Sequence, residues 1–185
     1  MAVPDFDHNQ VMPPHMGDPR RRDQLSPYPA TSEEVCRKFT TSPDRRTILQ
    51  GWLDFRVRLT QFGIVSGFQW LDGSFLENIE VLESRQPRDL DLVTFFTPPN
   101  DPNFIANLFA NFREFIDRDA SKATYHLDHF PVNLAGNPVA IVEQTRYWTG
   151  LFSHRRDGLW KGMLWVELNT NQHDIQAAAF LATIA

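Results

Sequence analysis

Two aspartates with one leucine between them, Asp89-Leu90-Asp91, open the apolar run Leu92-Val93-Thr94-Phe95-Phe96. Side chains alternate faces along a strand, so Asp89 and Asp91 point the same way, about 7 Å apart. Like charges at that spacing repel unless a cation lies between them, and carboxylate oxygens are the hard ligands that Mg²⁺ takes. Upstream, the apolar run through Trp70-Leu71-Asp72 breaks at Gly73-Ser74 before Phe75. A glycine there lets the backbone approach a phosphate closely, and a serine opening a turn offers a hydroxyl and N–H donors. Downstream, Asp128 lies inside a third apolar run, flanked by Leu127 and by His126 and His129.

Other polar clusters carry less. His126 would share a strand face with Asp128, within reach of a hydrogen bond to that carboxylate, but the preferred reading is a partly buried or exposed histidine without that role, and no further His or Cys stands at zinc-ligand spacing. Ser153, His154 and Asp157 have the residue types of a hydrolase triad, but neighbours on one short loop do not converge on one atom. Arg155 and Arg156 of that loop, with Lys161, are better read as phosphate or acceptor contacts, because guanidinium and ammonium groups pair with phosphate oxygens. Trp148, Trp160 and Trp165 are assigned to the core rather than to a base-stacking platform.

The elements that must position these groups follow from capping and periodicity. Thr31 and Glu34 have capping-box spacing and predict a short helix that turns Val35 and Phe39 inward. Ser42-Pro43-Asp44 is a second helix start, and Ile48, Trp52, Phe55 and Leu59 recur at helical spacing, predicting a helix over Pro43–Gln61 that stops at Gly63. Gly67–Leu71 reads as a strand. The segment 75–82 suits a short helix or an irregular stretch, and 83–88 a loop. Over Asp89–Thr97 a strand is predicted, with Leu90, Leu92, Thr94 and Phe96 on one face and Asp89, Asp91, Val93 and Phe95 on the other. One helix is expected over Asn103–Asp117, then a strand over Tyr125–Leu134 in which Pro131 marks an edge or a bulge. Residues 140–148 fit a short helix or a strand, 163–168 a strand, and 172–184 a terminal helix.

With 185 residues and 42% hydrophobic content, the chain has room for one cored domain and not two. Residues 1–30, rich in Pro, Asp and Arg, read as an extended arm, and 31–185 as a single domain. A net charge of −5 argues against a general nucleic-acid binder, and a single cysteine, Cys36, excludes an internal disulfide. No apolar run has the length of a membrane span and the N-terminus lacks a signal-type core, so the expectation is a cytoplasmic protein with no membrane partner.

The order of strand, Gly73-Ser74 turn, Asp89-x-Asp91 strand and later strand with Asp128 resembles the nucleotidyltransferase superfamily typified by DNA polymerase β. The resemblance covers roughly residues 43–134. The whole-chain pattern, including Gly150-Leu151-Phe152-Ser153-His154-Arg155-Arg156, also resembles a small family of uncharacterised bacterial proteins of this fold. The resemblance implies an α/β (α+β) domain with a mixed β-sheet flanked by helices. It implies Mg²⁺ or Mn²⁺ held by Asp89, Asp91 and Asp128, and the phosphates of an NTP held by Gly73 and Ser74. The activity it implies is transfer of a nucleoside monophosphate to a protein or tRNA acceptor, with a toxin–antitoxin or phage-defence module and an operon partner protein as the setting. The alternative is the same fold without catalysis, an interaction protein acting as antitoxin, sensor or scaffold subunit. Glu77, Glu80 and Glu83 in the connection before the acid pair bear on that choice.

Overall fold

The computed structural model describes residues 3–184; the first two residues of the expected arm and residue 185 lie outside the described residues. The expected capping box forms, with Thr31 and Glu34 bonding reciprocally at the start of helix α1, Ser32–Phe39. Helix α2 spans Pro43–Gln61, with the Ser42 hydroxyl accepting from the Arg45 amide at 3.3 Å. Its stripe of Ile48, Trp52, Phe55 and Leu59 is buried, as is Arg45.

Five strands follow the order β1-β5-β2-β3-β4, where β1 is Tyr28–Pro29, β2 Gly67–Asp72, β3 Leu90–Phe96, β4 Leu127–Asn133 and β5 Leu164–Glu167. β2 is antiparallel to both β3 and β5, and β4 is parallel to β3, so the sheet is mixed. β4 ends the strand order, which suits Pro131, a residue that cannot donate to a further neighbour.

The two faces of β3 divide as the alternation predicts. Leu90, Leu92 and Phe96 join the main core beneath α1, α2 and α7, the last spanning Asn171–Thr183. Val93 and Phe95 join a smaller cluster with Trp70, Val132 and Met163, covered by Trp148 and Phe152 from helix α6, Pro138–Phe152. Residues 140–148 are therefore helical. Segment 75–82 resolves into a 3-10 turn, Ser74–Leu76, and a short helix α3, Ile79–Glu83.

The single helix expected over Asn103–Asp117 is corrected. The chain forms α4, Phe104–Asn111, a 3-10 turn, Arg113–Phe115, and α5, Arg118–Tyr125. Phe112 leaves helical geometry at φ −145°, and the break lets both Phe112 and Phe115 pack against Phe55. The Asp117 carboxylate then accepts from the amides of Asp119 at 3.0 Å and Ala120 at 3.1 Å and starts a new helix. Within the arm, Val11 and Met12 are fully buried, and Tyr28-Pro29 pairs in parallel with Leu164-Trp165.

Candidate functional site

β3 and β4 start at the sheet edge where β2, running the other way, ends. The register sets Asp72 opposite Asp91 and Asp91 opposite Asp128. Cross-strand partners share a face, so three carboxylates form a row on the face that α6 covers only in part, with Asp89 just before β3. All of them line one cleft of about 880 Å³, together with Gly73 and Ser74. The predicted acids and the predicted turn are thus brought together. Asp72 joins them without having been singled out in the sequence, although alternation from the inward Trp70 puts it on this face.

Gly73 takes φ +83°, a conformation that favours glycine, and a Cβ there would collide with the Asp91 carboxylate. The turn is pinned from behind. Buried Arg45 donates to the carbonyls of Phe75 at 2.6 Å and Glu77 at 2.7 Å. Lys161 Nζ donates to the Gly73 carbonyl at 3.2 Å and to Glu77 Oε1 at 2.9 Å, and lies 3.0 Å from Asp72 Oδ1.

Of the cations expected to meet phosphate, Lys161 is 4% exposed and serves as a strut of this turn. Arg155 reaches Glu77, Glu83 at 3.1 Å and Asp157 at 3.2 Å. Arg156 is exposed on the cleft rim, as is Arg88.

Helix α5 supplies two cations that the sequence reading missed. Lys122 Nζ lies 2.9 Å from Asp89 Oδ2 and 2.9 Å from Asp128 Oδ2, bridging the two carboxylates. Arg118 pairs with Asp128 through both carboxylate oxygens. A helix expected over Asn103–Asp117 hides their relation; in α5 they are four residues apart and share one face.

Burial alone would raise the Asp128 carboxyl, but its bonds to Arg118 and Lys122 outweigh that and hold it below the usual carboxylate range. Asp91 makes no ion pair among the described residues. Burial, then the nearby charges of Asp89 and Asp128, push it up to about 6. Burial pushes Asp72 up to about 7, with Lys161 pulling the other way.

The histidine expectation is corrected. His126 ends α5 at φ +57° and lines a separate groove with Ser42 and Gln50 of the α2 end, because it precedes the strand and does not follow its alternation. His129 lies on the opposite face of β4 from Asp128, buried, with Nε2 2.9 Å from Thr94 Oγ1. Trp148 is buried and Trp165 stacks on Phe68, but Trp160 is 62% exposed and packs only at the edge of His154, so the three do not form one core cluster.

The donor set suits a hard divalent ion: Asp89, Asp91 and Asp128 offer only carboxylate oxygens, and Asp91 makes no ion pair among the described residues, although Lys161 and Lys122 stand near enough to lower its pKa. Among the described residues no three or more His, Cys, Asp or Glu are gathered as metal ligands.

Residues 4–167 match the family of unknown function DUF6932. The chain belongs to that family. No curated protein and no solved structure matches it. Among the described residues no helix is long and apolar enough to cross a membrane.

Proposed function

We propose that the protein is a Mg²⁺- or Mn²⁺-dependent nucleotidyltransferase that moves a nucleoside monophosphate from an NTP to a protein or tRNA acceptor. One observation supports the reading above others: Asp91, which makes no ion pair among the described residues, faces the glycine of the Gly73-Ser74 turn, with Asp89 and Asp128 lining the same cleft. In that reading Asp89, Asp91 and Asp128 would hold the two metal ions that such a transfer uses, Asp128 only one of them. The ions would supply positive charge at the transferred phosphorus and on the leaving pyrophosphate. Gly73 and Ser74 bind the phosphates through backbone N–H groups and the hydroxyl. The acceptor hydroxyl attacks the α-phosphorus, its bond to pyrophosphate breaks, and a carboxylate of the row takes the hydroxyl proton. A cytoplasmic setting in a toxin–antitoxin or phage-defence module, with an operon partner protein, belongs to the same reading.

A second reading has its own observation. Lys122 between Asp89 and Asp128, with Arg118 on Asp128, is an arrangement that also suits a catalytically silent antitoxin, sensor or scaffold subunit. Calorimetry with each NTP and Mg²⁺ or Mn²⁺ separates the two. The enzyme reading expects metal-dependent NTP binding by the wild type and none by Asp89→Ala/Asp91→Ala. If the wild type binds no NTP, the enzyme reading fails. Labelled NTPs incubated with cell extract then identify the acceptor.

A further inference from the structure

We propose that Lys122 and Arg118 exchange partners when a metal–triphosphate complex enters the cleft, holding Asp89 and Asp128 in the free protein and gripping phosphate oxygens in the loaded one. The inference rests on the nucleotide reading above and names which cations meet the triphosphate.

The geometry requires two roles of the same side chains. The Lys122 ammonium is equidistant, at 2.9 Å, from carboxylate oxygens of Asp89 and Asp128, the position that a cation bound by both would take. An ammonium and a divalent ion cannot share it, so metal entry must displace Lys122. Arg118 holds both oxygens of Asp128, so it too must yield an oxygen to a metal. Displaced charges need new anions, and the anions that arrive with the metal are phosphates.

Both side chains can make the move. They project from one face of α5, one turn apart, into the cleft, and remain 35% and 54% exposed. Their stems are long, and a guanidinium fork matches phosphate oxygens. The other cations at the cleft floor are committed. Lys161 is buried among Asp72, Glu77 and the Gly73 carbonyl, and Arg155 is held by Glu77, Glu83 and Asp157. Arg85 is held by Glu83 at 2.7 Å, and Arg88 and Arg156 sit exposed on the rim with no carboxylate partner among the described residues.

The exchange predicts effects of opposite sign from one substitution. Lys122→Met removes a competitor of the metal and a ligand of the phosphates. Titration calorimetry with Mn²⁺ alone, and with inorganic triphosphate at Mg²⁺ that already saturates the protein, reads the two separately. Lys122→Met is expected to bind Mn²⁺ about tenfold more tightly and Mg²⁺–triphosphate about tenfold more weakly, the size of one charge-assisted hydrogen bond in each direction. Lys122→Arg is expected to stay near wild type for both. Affinities that move together, or do not move, overturn the exchange while leaving the nucleotide reading standing. A wild-type protein that binds neither Mn²⁺ nor Mg²⁺–triphosphate overturns both.

Discussion

Asp72 stands directly opposite Asp91 across the antiparallel pair β2–β3, so two carboxylates share one cross-strand position. Directly opposed like charges destabilise a sheet. The fold sustains the pair because Lys161 Nζ lies 3.0 Å from Asp72 Oδ1, inside a pocket that also takes Glu77 at 2.9 Å.

Removing that lysine leaves buried Asp72 without its counter-charge and Glu77 with Arg155 alone. Lys161→Met is expected to destabilise the protein by about 3–5 kcal/mol in urea unfolding, the usual cost of breaking a buried ion pair from one side. Adding Asp72→Asn removes one of the stranded charges, so the double variant should be more stable than Lys161→Met alone. Additive losses would mean that the two residues are not coupled.

Gly73 and Gly158 both adopt positive φ, +83° and +86°, but only at Gly73 would a Cβ meet another group, the Asp91 carboxylate. Gly158→Ala should cost about 1–2 kcal/mol from backbone strain alone. Gly73→Ala should cost more and should also weaken Mn²⁺ binding, which Gly158→Ala leaves unchanged. Equal losses in the two variants, with Mn²⁺ affinity intact in both, would show that the approach of Gly73 to Asp91 has no consequence.

The raised carboxyls set a pH dependence. Asp91 and Asp72 titrate from 3.8 up to about 6 and about 7, so between those values the folded chain holds protons that the unfolded chain has lost. Their contribution to stability therefore falls as pH rises through that window. His129 works the other way. Burial drives its pKa from 6.5 to about 3, and its contribution is lost as pH falls through that range. The difference between wild type and Asp91→Asn isolates the first effect. With a chelator present, the variant's advantage in Tm should grow from about pH 4 to about pH 7 and then level off. A constant difference would contradict the burial of the Asp91 charge.

Local rules in the sequence determined much of this protein. Thr31 with Glu34 and Ser42 with Pro43 mark real helix starts, and alternation in 90–96 sorts the residues of β3 between core and cleft correctly, because capping and side-chain parity depend only on near neighbours. The same parity carries Asp91 and Asp128 to one side. Only the tertiary structure decided what stands between them. The break at Phe112 places Phe112 and Phe115 against Phe55, a residue in a distant helix, and its one local mark is the Asp117 cap that restarts the helix. That break starts α5 anew, and the new helix brings Arg118 and Lys122 over the acids. Strand pairing, equally non-local, turned Asp72 from a residue before a turn into the partner of Asp91 and drew Lys161 away from the solvent side of the cleft into the support of the Gly73 turn. Chemistry that depends on residue type and strand parity was therefore written along the chain, whereas the cations that govern access to it were set by packing between segments far apart in sequence.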